Sequence, residues 1–181
     1  MSKILLPVLF IFCLGLTSAV FAQNAQSKTD ELIAALAKTK YKKKEKKNIS
    51  IEIYVDVKSE AVVKNDVREY SGVYEAESDE YRLELRVSAD GKVEGNGYDS
   101  WFNNSKKQNF TLKDARIEGA LLTATKVFEN GETVKLEAVF NNRTVTQGKN
   151  PNEIESRDTK YGLSFIQSYS DWTNRVFLEL K

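Results

Sequence analysis

Beyond residue 48 hydrophobic and polar residues alternate with period two along most of the chain. Ile49, Ile51, Ile53, Val55 and Val57 share one face, while Ser50, Glu52, Tyr54 and Asp56 share the other, which predicts a half-buried strand. Val67 to Ala76 predicts a second extended stretch around Tyr70-Ser71-Gly72-Val73-Tyr74. Tyr81, Leu83, Leu85 and Val87 then alternate with Arg82, Glu84 and Arg86, and Asp90-Gly91 turns the chain into Lys92 to Gly97. Gly95-Asn96-Gly97 lacks the strand-to-helix setting of a phosphate loop and is expected to be a flexible turn or bulge.

Phe110 and Leu112 open another extended piece, Ala115 to Glu118 continues it, and Gly119 punctuates before Ala120 to Phe128. Asn130-Gly131 closes a second hairpin, whose return strand places Val134, Leu136, Ala138 and Phe140 on one face. Gln147 to Lys160 is polar, contains Pro151, and is expected to be a long surface loop. Leu163 to Ser168 and Arg175 to Leu180 supply two closing strands, with Val176, Leu178 and Leu180 inward. This spacing predicts an all-β domain over 48–181, an antiparallel up-and-down barrel or a sandwich of about eight strands.

Tyr70 to Tyr74, the alternating Tyr81 to Val87, Asp90-Gly91 and Val93 to Gly97 together resemble the opening of small secreted lipocalin-like β domains. The resemblance covers about Val67 to Gly97 and implies a barrel with an interior cavity for an apolar ligand. The G-x-W opening of conventional lipocalins is absent, and so are disulfides.

The first 47 residues are written differently. Lys3 precedes an apolar run from Ile4 to Leu16, and Val20-Phe21-Ala22 gives the small-residue spacing of a cleavage site before Gln23. Residues 1–22 are therefore expected to be a secretory signal peptide, which places the protein in a secreted or periplasmic setting. The alternative is an uncleaved anchor, since Ile4 to Ala22 is long enough to span a bilayer. Bulky Phe10-Ile11-Phe12 before Cys13 does not resemble a lipoprotein attachment site. Residues 23–47 predict a short basic helix and linker. Ser27 stands three residues before Asp30 as a cap, Leu32, Ile33, Leu36 and Ala37 form one helical face, and Lys38, Lys40, Lys42, Lys43, Lys44, Lys46 and Lys47 follow.

The overall charge, 27 basic against 26 acidic side chains, hides this division. From Asn48 onward there are 18 Lys and Arg against 23 Asp and Glu, a net −5 behind a strongly basic neck. Such a neck can touch anionic lipid or polyanionic wall material; phosphate contacts to nucleic acid fit poorly with export, and no nucleic-acid partner is expected. It can also be a plain solvated linker.

The 181 residues contain no His, and the lone Cys13 sits in the expected leader. Cys nucleophiles, His-based triads and His/Cys zinc sites are thereby excluded from the mature chain. Carboxylate chemistry remains open, but Glu75 with Glu77 and Asp79 with Glu80 read as solvated strand faces, and Asp90 lacks the neighbours of a Ca²⁺ loop. No catalytic residue, cofactor or metal is assigned. An outer-membrane barrel is disfavoured because the second face of most strands carries Glu, Lys and Arg. Asn48, Asn103, Asn109 and Asn142 begin N-x-S/T triplets, which indicate surface placement.

The candidate ligand residues are Tyr98, Trp101 and Phe102, beside Asp99, and Tyr169, Trp172 and Arg175, beside Asp171. Aromatic faces next to a carboxylate and an Arg suit a small apolar or amphipathic ligand; the same rings can equally be core or barrel-end plugs. The expected function is binding by an exported, non-enzymatic barrel, with an envelope module tethered by its lysines as the alternative and a carboxylate-dependent hydrolase as the third. N-terminal sequencing of the exported protein is expected to start at Gln23; a start at Met1 would mean that the leader is retained as an anchor.

Overall fold

A computed structural model describes residues 22–46, 49–100, 106–168 and 173–181. The expected leader lies outside these residues, apart from Ala22, and no described helix is long and apolar enough to cross a membrane. Helix α1 covers 22–36. Ten strands follow among the described residues: β1 Lys38–Lys46, β2 Ile49–Ala61, β3 Gly72–Glu75, β4 Tyr81–Val87, β5 Val93–Ser100, β6 Lys107–Glu118, β7 Leu121–Phe128, β8 Thr133–Asn150, β9 Glu153–Ser168 and β10 Thr173–Leu180.

Strands β3 to β10 pair in sequence order, each antiparallel to the next, and β10 returns to β3. The result is a closed eight-stranded up-and-down barrel, which removes sheet edges over its whole circumference. The seam between β10 and β3 is short: Leu180 lies opposite Tyr74, Glu179 opposite Glu75, and the Lys181 amide donates to the Val73 carbonyl at 2.9 Å.

Strand β8 is longer than the barrel needs. Thr133 to Val139 pairs with β7, and Asn141 to Gly148 pairs with β2 along the same edge, while β9 follows the opposite edge from Ala138 to Asn150. The change of partner occurs at Phe140, whose amide donates to Ala120 and whose carbonyl accepts from Val62. Hairpins β1–β2 and β8–β9 thus form a four-stranded tongue that continues the sheet beyond the barrel.

The alternation of the sequence decodes the barrel interior. Leu83, Leu85, Phe110, Leu122, Leu136, Ala138, Phe140, Leu163, Val176 and Leu178 are buried against one another. One end is closed by Tyr70, whose ring lies 4.2 Å from that of Phe140 and whose hydroxyl donates to the Gly119 carbonyl at 2.8 Å. At the other end Asp99 of β5 and Lys126 of β7 form a buried ion pair, with 2.8 Å between Nζ and Oδ2. The ammonium also lies 4.7 Å from the Phe110 ring centre and 4.8 Å from that of Phe165, so rings and carboxylate replace its hydration.

Several expectations change. Residues 23–47 are helix only as far as 36; the lysine run that reads as linker is strand β1, because Lys38-Thr39-Lys40-Tyr41-Lys42 is itself a period-two sequence and pairs residue for residue with β2. Ser27 lies inside α1 rather than at its start, and Leu32, Ile33 and Leu36 pack on Ala120, Val139 and Ile166 of the outer barrel wall. Gln147 to Lys160 is not a loop but the β8–β9 hairpin, turning at Pro151-Asn152, since β8 and β9 satisfy each other's backbone groups although the segment has no apolar face. Val67–Tyr70 is a 3-10 turn capped by Asp66, whose side chain accepts from the Arg68 amide. Gly95-Asn96-Gly97 lies within β5, and a Cβ on Gly97 would come 2.0 Å from the Arg82 carbonyl oxygen, so glycine there lets β4 and the Phe110 ring approach.

The ion pair and the tyrosines carry two predictions. Lys126→Met leaves Asp99 buried without its partner and is expected to lower unfolding free energy by about 3–5 kcal/mol in denaturant titration, whereas adding Asp99→Leu recovers most of the loss. Burial pushes the Tyr161 hydroxyl from 10.0 up to about 12 and raises Tyr70 and Tyr74 as well. The folded state then keeps protons that the unfolded chain releases, so this stabilisation is complete below pH 10 and is lost as pH rises from 10 to about 12. Circular dichroism should show cooperative unfolding in that window, together with late phenolate absorbance; titration of all eight tyrosines near pH 10 with the fold intact would contradict it.

Candidate functional site

The described inward positions carry packed side chains, and the open clefts among the described residues lie on the outside of the barrel and beside the tongue. Among the sequence candidates, Tyr98 and Arg175 are described, whereas Trp101, Phe102, Tyr169 and Trp172 lie outside the described residues. Tyr98 points to the outer face of β5, where its hydroxyl donates to the Asp79 carboxylate and Lys107 sits 4.0 Å from its ring centre. Hydrogen bonds from Lys107 and Tyr98 hold the Asp79 carboxyl below its ordinary range. Asp99, one residue on, faces inward and belongs to the ion pair with Lys126. Lys126 was open to sequence reasoning: it stands at the inward parity of Leu122, Ala124 and Phe128, where a charge calls for a buried partner.

Arg175 lies on β10 at the centre of a groove. Its Nε donates to the Ala35 carbonyl at 2.7 Å, tying the end of α1 to the barrel wall. Beside it opens a cleft of about 740 Å³, bounded by the tongue on one side and by β10 and the β3–β4 turn on the other. Its lining is strongly polar: Glu75, Glu77, Glu80 and Asp158 face Arg143, Lys160 and Arg175, with Phe177 as the main aromatic surface. Some of these charges are already compensated, Lys160 by Glu179 at 3.1 Å and Glu75 by Arg82 at 3.0 Å. Arg143 lies over the Phe177 ring, 5.3 Å from its centre, and burial lowers its pKa from the ordinary arginine value.

The lysine strand forms the second feature. Lys38, Lys40 and Lys42 are exposed and lie opposite Val57, Val55 and Ile53 of β2, so three cations and three aliphatic side chains share one face. Ile53 is 49% exposed, whereas Lys38 and Val57 on the same face border a pocket with Leu36, Arg175 and Phe177. Among the described residues these three lysines have no ion-pair partner. A lysine-rich outer strand also protects the tongue from like-with-like edge pairing, since two such strands repel. Face and charge together make an amphipathic basic surface on the outer strand pair of the tongue. No family model, no curated protein and no solved structure matches this chain.

Proposed function

We propose that the protein is an exported, non-enzymatic β-barrel that acts as an interaction module at an anionic lipid surface of the cell envelope, with the β1–β2 face as the contact. The observation that carries this reading is the pairing of Lys38, Lys40 and Lys42 with Val57, Val55 and Ile53 on one face, of which Ile53 is 49% exposed. Lysine ammonium groups seek lipid phosphates, while their alkyl stems and the neighbouring Ile and Val sit at the boundary of the acyl chains. Each lysine near an anionic leaflet contributes about 1 kcal/mol, so these three supply roughly 3 kcal/mol, on the order of a hundredfold in partition.

A second reading keeps the lipocalin-like resemblance of Val67 to Gly97 and a small apolar or amphipathic ligand. It is supported by the cleft beside Arg175 and Phe177 rather than by the barrel interior, which its own side chains occupy. The polar lining of that cleft favours the surface-contact reading over the apolar ligand.

Co-sedimentation of the purified protein with phosphatidylglycerol-containing vesicles tests the proposal. Binding is expected to fall as salt rises and to weaken roughly thirtyfold in Lys40→Gln/Lys42→Gln, the loss of about 2 kcal/mol. Equal binding to phosphatidylcholine vesicles, or binding unchanged in the double variant, would contradict it.

A further inference from the structure

At the root of the lysine strand the groove narrows into a pocket of about 230 Å³, between the end of α1, the start of β1 and the outer wall of β8–β10. We infer that this pocket, framed by Lys38, Arg143 and Arg175 with Ser59 and Ser164 beside them, is a binding site for a dianionic oxyanion of the phosphomonoester class. The site shares Lys38 with the lipid contact but neither Lys40 nor Lys42, and its argument rests on Arg143, Arg175 and Ser164.

Charge is the first argument. Of the described residues that line the pocket, three are cationic and none is acidic. The groups are not spent on one another or on nearby carboxylates. Arg143 lies within ion-pair distance of no described acid; Glu77, in the adjoining cleft, acts on it only at longer range. Arg175, which lines the pocket, spends only Nε on the Ala35 carbonyl. Arg143 rests over the Phe177 ring and Arg175 is tied to the Ala35 carbonyl, so both guanidinium groups have a partner that restricts them, and such forks favour oxyanions over chloride.

Ser164 is the independent argument. It is 1% exposed, it lines the pocket, and its Oγ has no hydrogen-bond partner among the described residues. A buried hydroxyl left unpaired is destabilising, and nothing in the packing of Ser164 on the outer wall calls for a polar atom there. An oxyanion seated between the arginines would accept from it, and from Ser59 at the pocket rim. Three cations match a monoester, which carries between one and a half and two negative charges at neutral pH, better than a carboxylate or a diester with one. Free phosphate, a sugar phosphate and a lipid monoester headgroup share this chemistry.

Isothermal titration of the purified protein with inorganic phosphate, and separately with glycerol phosphate, glycerophosphocholine and acetate, tests the inference at low ionic strength. Saturable binding of one phosphate per chain is expected, at least tenfold tighter than acetate or the diester, and at least tenfold weaker in Arg143→Gln and in Ser164→Ala. Ser164→Ala is expected to melt no lower than the parent without phosphate, because it removes an unpaired group; this separates a binding role from a structural one. Lys40→Gln/Lys42→Gln should leave phosphate affinity unchanged, so a failure of vesicle binding and a failure here are distinguishable. Preference for glycerol phosphate over inorganic phosphate would point to an organic monoester, and equal affinity to free phosphate. Non-saturable binding, diester or acetate affinity equal to that of phosphate, or full affinity in both single variants would overturn the inference.

Discussion

The architecture follows from the length of one strand. Thr133–Asn150 is 18 residues, more than the barrel wall uses, and a strand that leaves a closed barrel carries unpaired amides and carbonyls on both edges. β9 takes one edge, and β2 takes the other from Asn141 to Gly148, directly where β7 ends. Once β2 is fixed there, its hairpin partner β1 becomes the outer strand of the tongue, and the lysines are presented on a rigid sheet instead of a loose linker. The same overhang makes the groove, because the tongue face bearing Arg143 stands opposite the barrel face bearing Arg175 and Phe177.

The barrel itself was largely legible. Asp90-Gly91 and Asn130-Gly131 mark turns, with Gly91 and Gly131 at φ 82 and 86, and the alternation of Tyr81 to Val87 or Val134 to Phe140 reports which side chains turn inward. That signal depends on contrast between a buried and a solvated face. On the tongue the contrast disappears: Glu153 to Thr159 is exposed at every position, so polar composition there suggests a loop although the backbone pairs with β8 on one side except at the bulge of Glu155. Lys38 to Lys46 is obscured in the same way, because a charge run is normally solvated and only the register with β2 shows that it is a strand. Gly97 misleads for the opposite reason, since a glycine that suggests flexibility serves close approach of β4 within a strand.

The candidate site was legible only in part. Arg175 was visible as a charged residue beside aromatic ones and does sit in the groove, but Arg143 and Ser164 lie at sequence distances that no local motif connects. Tyr98 and Asp99, adjacent in sequence, face opposite sides of β5, one tied to Asp79 and the other paired with Lys126 inside the barrel. A chain whose only Cys is Cys13, and which has no His, leaves carboxylates, amides, hydroxyls, Lys and Arg as its polar vocabulary, and the two surfaces draw on the cations and hydroxyls. The described inward side chains pack on one another, and the buried Asp99–Lys126 pair braces β5 against β7.

Residue-resolved amide hydrogen exchange, recorded with and without anionic vesicles, tests most directly whether the lysine strand held out by β8 is the working surface. The account predicts slower exchange in β1 and in the β2 segment from Ile53 to Val57, with the amides of β4 and β5 unchanged. Slowing spread evenly over the barrel, or confined to strands other than β1 and β2, would contradict it.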